Sequence, residues 1–436
     1  MPKRVTMSEN YSGAGFPADF EHRSEKGWMR RRKRPSYNAT MRAAQLAFAS
    51  LAAASLSLAC GEKRHDDPLP SAGAAAAGMA GTGGDAGMGG TAGAGGASFC
   101  SSVGPEPALI GTDMGDLAVE SITTWKNNTQ GAYTIIHDDA CDYTLDSLFN
   151  VADPELTGRS LKAAFGAIVE RCQERNTWAK LEVLREHGHE IINHSWSHKD
   201  IVAEAAMAPL SVEIDQANMV LDQNLKEQHT SFFIFPYDSF DDAAVAHVGS
   251  LGYLGARAGK KGVNTSNFPD GLRVMFDVWG GEDSIYNGQG DILKIYVDLA
   301  ISQGGWSVRE FHGIADLSYN PMTVDGYRQH LDYVRSKVDA GQLWVDTPST
   351  VLRYRFARQY CAAPVACDSR LVFPTPSDDC KKYATPLSVI FTTSVDARGV
   401  IAQQDGQVLV AGKLGPNRFM VDLNPAGGQV SIAGAN

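Results

Sequence analysis

Eight short apolar runs punctuate residues 130–360: YTIIHDDA (133–140), KAAFGAIV (162–169), HEIINHS (189–195), SFFIFPY (231–237), YLGARAG (253–259), RVMFDVW (273–279), WSVREFHG (306–313) and LWVDTPS (343–349). Each is too short for a helix, and most are rich in β-branched or aromatic residues, so each predicts a strand. Between them lie amphipathic stretches. In TWAKLEVLREHG, Trp178, Leu181, Leu184 and Arg185 follow helical spacing, and Gly188 stands where a helix would end. Strands alternating with helices predict a parallel sheet with crossover helices. Eight strands in this length suit a (β/α) barrel, which typically takes about 250 residues.

The pattern changes after residue 385. VIFTTSV, QVLVAG, RFMVDL and QVSI read as short strands separated by Gly, Pro and Asn turns. So small a β-rich region is marginal alone. It is expected to dock on the barrel, or to be stapled by cysteines of the connector that begins at residue 361.

Upstream, residues 71–97 are almost wholly Gly, Ala, Thr and Met, with Asp85 the only charge. Such a segment cannot bury enough apolar surface to offset its ordering entropy and predicts a flexible tether. From Met41 the chain reads MRAAQLAFASLAAASLSLAC, a basic start and a small-residue apolar stretch ending at Cys60. This pattern predicts a secretory signal, too short for a membrane span of about 20 apolar residues. Cys60 resembles the lipid-attachment cysteine of bacterial lipoproteins, which implies export and membrane attachment through a lipid. The expected organisation is an upstream extension and signal over 1–60, a linker over 61–98, the barrel over 99–360, and a connector with the β-rich appendage over 361–436.

Removing Cys60 from the seven cysteines leaves six, enough for up to three disulfides, and no CxxC pair exists for a cysteine zinc site. The net charge of −11 is unevenly spread. Nine Lys/Arg fall in the first 40 residues, leaving 30 basic against 46 acidic residues beyond them. That balance excludes a nucleic-acid partner, whose phosphates need a basic surface.

Polar residues interrupt the apolar runs near their C-terminal ends, which is the catalytic end of a (β/α) barrel. Asp138 and Asp139 close the first run, His194 and His198 follow the third, Tyr237 ends the fourth, Asp277 and Trp279 end the sixth, and His312 ends the seventh. Histidines four apart lie on one face if the segment is helical and can then share a metal. One carboxylate and two imidazoles suit Zn²⁺ or a similar divalent ion. The second aspartate then remains free as a base, and His312 can act as an acid if Asp277 holds it charged and oriented. Trp196, Trp279, Trp306 and Trp344 are placed near this face.

These runs resemble the NodB-type polysaccharide deacetylases, carbohydrate esterase family four, over about residues 130–360. IIHDDA resembles the first family motif, His194-Ser195-Trp196-Ser197-His198 the His-x-x-x-His motif, Pro236-Tyr237 the third, FDVW the fourth and FHGI the last. The resemblance implies a distorted (β/α) barrel of the polysaccharide-deacetylase type. It implies Asp138 as base, Asp139, His194 and His198 as metal ligands, His312 as acid and the Tyr237 backbone N–H as an oxyanion donor. The implied activity is metal-dependent removal of N-acetyl groups from a polysaccharide or oligosaccharide. O-deacetylation, hydrolysis of another amide and non-catalytic carbohydrate binding are the alternatives. His137 stands where the family has an aromatic, Ala140 where it has Gly, and Ile234 where it often has an arginine that some members carry in the next strand, as Arg257 here. Arg257, Trp196 and Trp279 are the candidate substrate-binding residues.

Overall fold

The structure is a computed structural model and describes residues 99–101, 109, 111–226, 229–268 and 270–435. The expected signal, Cys60 and the linker lie outside the described residues. Among the described residues, no helix is long and apolar enough to cross a membrane.

All eight expected barrel runs contain a strand. In chain order the strands are β1 (Leu117–Ile122), β2 (Gly131–Ala140), β3 (Ala164–Ala167), β4 (Glu190–Asn193), β5 (Phe232–Ile234), β6 (Gly255–Arg257), β7 (Asp277–Val278), β8 (Trp306–Phe311) and β9 (Leu343–Val345). β6-β5-β4-β3-β2-β8-β7 form one sheet with every pairing parallel, and β9 pairs with the start of β2. The end strands are linked as well. Gly259 and Gly262 donate backbone hydrogen bonds to Val274 and Phe276, joining the chain after β6 to the chain before β7. The result is a distorted (β/α) barrel. Its strands are buried on both faces, as parallel sheets covered by helices must be, and β2 and β8 are buried almost throughout. The expected helix appears as Trp178–Glu186, and Gly188 follows it at φ 89°.

The remaining strands are β10 (Val365–Cys367), β11 (Arg370–Val372), β12 (Leu387–Thr393), β13 (Val400–Gln404), β14 (Gln407–Gly415), β15 (Arg418–Leu423) and β16 (Val430–Gly434). They form a second sheet in the order β1-β12-β15-β14-β13-β16-β11-β10. Phe391, Val400, Phe419, Val421 and Ile432 share its separate core. The expected boundaries need correcting here. β1 lies ahead of the barrel in sequence but pairs antiparallel with β12, so the appendage draws its edge strand from before residue 130. Burial is almost continuous along β12 and alternates along β15, leaving apolar residues that only a full sheet can cover, and β1 supplies part of it.

Three disulfides join Cys100 to Cys367, Cys141 to Cys172 and Cys361 to Cys380. The first ties the N-terminal segment to β10. The third closes the connector beneath the helix Pro348–Tyr360.

Candidate metal centre

β2 ends in Asp138 and Asp139. Neighbouring residues in a strand point to opposite faces, so a regular β2 would offer only one carboxylate to the barrel mouth. The register of β2 against β3 shifts between His137 and Ala140, and Asp139 takes a left-handed φ of 61°. A bulge of this kind re-aims side chains. Both carboxylates now approach one imidazole, with His194 Nε2 at 3.4 Å from Asp139 Oδ1 and 3.9 Å from Asp138 Oδ2.

His194 follows β4 directly, and His198 lies four residues on, but not on a helix. Ser195 and His198 have positive φ, and the segment is tied as a bent loop. The Asn193 side chain accepts from the Ser195 N–H at 2.9 Å, the Ser195 hydroxyl oxygen accepts from the His198 N–H at 2.9 Å, and the buried Glu213 carboxylate accepts from the Ser197 N–H at 2.8 Å. The helical-face reading of this spacing is thus replaced by a turn that brings the two rings to 4.8 Å between centroids. Gly166 in β3 makes room for it. A Cβ there would stand 2.9 Å from Ile234 Cδ1 and 3.3 Å from His194 Cβ.

His198 Nε2 lies 3.2 Å from Asp139 Oδ1. His194 Nδ1 sits 3.1 Å from the Ile234 carbonyl oxygen, which can only accept, so Nδ1 carries the proton and Nε2 presents its lone pair. Asp139 Oδ1 is buried and makes no hydrogen bond. An orphaned carboxylate oxygen facing two imidazole nitrogens is costly unless a cation lies among them. Asp139, His194 and His198 therefore fit a divalent ion, and two nitrogens with one oxygen is a ligand set suited to zinc with open positions left over.

Asp138 is held differently. Arg257 grips it with Nη1 at 2.9 Å from Oδ1 and Nη2 at 2.6 Å from Oδ2, the bidentate geometry of a strong ion pair. Burial alone would raise the Asp138 carboxyl, but Arg257, His194 and His312 outweigh it and hold it below the ordinary carboxylate value. The same guanidinium lies 3.0 Å from Asp238 Oδ1 and 3.3 Å from Glu310 Oε2. Arg257 is 1 % exposed. Its expected place among substrate-binding residues is corrected: it stands buried behind Asp138, with its charge committed to carboxylates.

His312 Nε2 lies 3.8 Å from Asp139 Oδ2. Its carbonyl accepts from His137 Nδ1 at 2.7 Å, while His137 Nε2 faces the Tyr327 hydroxyl at 2.9 Å. His137 stacks on Phe165 and Phe311, each at 5.5 Å. Burial pushes it down to about 4, so it is neutral and fills the slot of an aromatic ring. The family departure at this position is a substitution of like for like, with a hydrogen bond to His312 added.

Asp277 does not touch His312 in the expected way. It is wholly buried, 2.8 Å from Arg309 Nη1, and accepts from the Ser284 hydroxyl at 2.7 Å and the Ile285 N–H at 3.1 Å. The cause lies in the register: Asp277 is directly paired with Arg309 of β8, whose buried guanidinium requires a carboxylate. Besides Asp139, Glu310 also approaches His312 together with Asp138, the ligand atoms of these three lying within 4.8 Å of one another. Burial raises Glu310 well above the ordinary value, with Arg257 opposing and Asp238 and Asp138 adding to the rise. Sequence reasoning passed over Glu310. The signal was there, because Arg309-Glu310 interrupts an otherwise apolar strand, and two buried charges each demand a partner.

Tyr237 occupies the turn after β5 at φ 58°, with its exposed ring 4.8 Å from that of His198. Trp196 and Trp279 are half-buried against the barrel core, and the Trp279 indole N–H donates to the Asn320 carbonyl at 2.8 Å, anchoring the loop beyond His312. Trp306 and Trp344 are buried near the starts of β8 and β9, at the opposite end of the barrel from the carboxylates.

Residues 130–256 match the family profile for polysaccharide deacetylases. Over this segment the chain is similar to polysaccharide deacetylases. The deacetylase match contains Asp138, Asp139, His194, His198 and Tyr237 and stops short of Arg257 and His312. Solved structures similar to the chain include a peptidoglycan deacetylase from Bacillus subtilis (16 % identity, covering 54 % of this chain and 96 % of that one, TM-score 0.37). Another is a carbohydrate esterase domain of a multidomain xylanase from the hindgut metagenome of Trinervitermes trinervoides (14 %, 51 % and 89 %, TM-score 0.34). A third is a family-four pseudoenzyme from Bacillus anthracis (14 %, 52 % and 66 %, TM-score 0.36). No curated protein matches the chain.

Proposed function

We propose that this protein is a metal-dependent hydrolase that removes N-acetyl groups from a polysaccharide or oligosaccharide. The observation that carries the reading is the orphaned Asp139 Oδ1 with the Nε2 atoms of His194 and His198 at 3.4 and 3.2 Å. A divalent ion held by these three, zinc in our reading, would polarise the acyl carbonyl and acidify a water molecule. Asp138 takes the proton from the attacking water, and its ion pair with Arg257 keeps it ionised and fixed in direction. His312 donates a proton to the departing amine nitrogen, and acetate is released. Stabilisation of the oxyanion is assigned to the backbone N–H of Tyr237. The domain boundaries are redrawn with the barrel from β2 to the helix Pro348–Tyr360 and the appendage made of β1 and β10–β16. Three disulfides support an exported protein, since such bonds persist in oxidising compartments. Lipid attachment at Cys60 is part of the same proposal.

The test is to purify the protein, measure bound metal and assay acetate release from N- and O-acetylated glycans. Asp138→Asn is expected to retain a stoichiometric ion while acetate release falls at least about a hundredfold, the scale of a lost general base. Turnover of the variant at the wild-type rate removes Asp138 from the mechanism. A wild-type protein with metal but no release from any N-acetylated glycan overturns the substrate assignment.

A further inference from the structure

The helix Pro348–Tyr360 carries Arg353, Arg355 and Arg358 in a chain that is acidic beyond its first 40 residues. Buried arginines elsewhere in the fold are matched by carboxylates, Arg257 by Asp138 and Arg309 by Asp277. Arg355 is not. It is 5 % exposed, stacks 4.4 Å from the Phe268 ring and 5.1 Å from the Phe356 ring, and donates to the Gln359 side chain at 3.0 Å and to the Phe268 carbonyl. Its Nε is buried with no hydrogen-bond partner. Arg358, half-buried and three residues on, donates to Asn267 Oδ1 at 2.9 Å. Among the described residues, neither arginine forms an ion pair. Burial, followed by the charge of Arg358, pushes Arg355 down to about 10, and burial also pushes Arg358 down.

The two side chains line a cavity of about 340 Å³ completed by Ser266, Asn267 and Gln359. Its lining thus offers two guanidiniums, one hydroxyl and two amides, and no carboxylate. The cavity is remote from the metal centre. Asn264, just ahead of Ser266, pairs with Trp306 at the start of β8, so this loop lies at the end of the barrel opposite Asp138. Stacking on Phe268 explains one arginine as a plug for the barrel floor. It leaves the second unexplained, because a second like charge at the same cavity makes burial of the first more costly.

We propose that this cavity is an anion-binding site, with Arg355 and Arg358 supplying the counter-charge to a phosphate, sulfate or carboxylate group. Guanidinium forks match such oxyanions, and Ser266 and Asn267 complete the donor set. The volume lies in the range of small-molecule sites, roughly 300–1,000 Å³, so the group can arrive free or on a sugar. The site is independent of the deacetylase reading.

The test uses the whole protein and two measurements. Titration calorimetry with inorganic phosphate, and separately with glucuronate, is expected to give one site per chain, with glucose and matched sodium chloride giving none. Phosphate is also expected to raise the thermal midpoint, since a ligand bound only by the folded state stabilises it. Arg358→Gln should weaken phosphate binding about tenfold or more, the effect of losing one charged contact, with acetate release unchanged. Binding of phosphate alone identifies a free oxyanion, and binding of glucuronate as well identifies a group carried on a sugar. No heat with either anion on the wild type overturns the proposal, as does binding that Arg358→Gln leaves intact.

Discussion

Asp138 and Asp139 are adjacent, identical in chemistry and opposite in circumstance. One is gripped by a guanidinium and the other left with a bare oxygen between two imidazoles, and that contrast is what the proposed roles of base and ligand rest on. His194 sharpens the point. Burial pulls it down, but Asp138 and Asp139 outweigh burial and raise it above the ordinary histidine value of about 6.5. A metal at the proposed site would compete with the proton for the same Nε2. Metal affinity is therefore present above the His194 value and lost as pH falls through it, by about tenfold per pH unit. A competition titration against a chelating indicator between pH 5.5 and 8 reads this directly, and flat affinity across that window contradicts it. Glu310 gives a second expectation. Burial raises it well above the ordinary carboxyl value and so favours the neutral form, and Glu310→Gln should hold kcat/KM within about threefold of wild type. A drop beyond tenfold would mean that the ionised carboxylate takes part. At this scale the cluster of Asp138, Asp139, His194 and His198 was legible in the sequence because polar residues interrupt the apolar runs at their ends. Arg257 and Asp277 were misread because partners across neighbouring strands depend on register, which one sequence does not display.

At the scale of elements, the site depends on departures from regularity rather than on the strands themselves. The bulge in β2 turns two successive carboxylates to one side, and left-handed backbone at Asp139, His198 and Tyr237 concentrates strain where the chemistry is placed. Strand periodicity located each run, but it carries no trace of a bulge, and the four-residue histidine spacing, which would share one face on a helix, is brought together by a turn instead. β7 and β8 show the opposite case, a regular pairing held by a buried ion pair between Asp277 and Arg309. Removing one partner strands the other charge, which costs about 3–5 kcal/mol. Asp277→Ala should accordingly unfold at lower denaturant by that amount, while the double variant Asp277→Leu/Arg309→Met recovers much of the loss. Equal stability of Asp277→Ala and wild type in a urea titration would show that the pair is not structural.

For the whole molecule, the sequence suggested a barrel followed by a tail, and the barrel is there. The tail is not simply a tail. Its sheet takes β1 from ahead of the barrel and β10 and β11 from the connector, and the disulfide Cys100–Cys367 ties the segment ahead of β1 to β10. Pairing between segments so distant leaves no mark in local periodicity, which is why LAVESI in β1 passed unnoticed. Cys367→Ser is expected to lower stability by about 2–5 kcal/mol, the usual effect of losing a native bridge, with metal content per folded chain unchanged. Loss of the metal from still-folded protein would show that the appendage shapes the site. The partnership of Val119 with Phe391 also sets a schedule for assembly. During synthesis β1 emerges first and must wait, one edge unsatisfied, until the barrel and the connector have been made behind it. Long-range pairing of this sort slows folding, so the second sheet cannot be completed until β16 has left the ribosome.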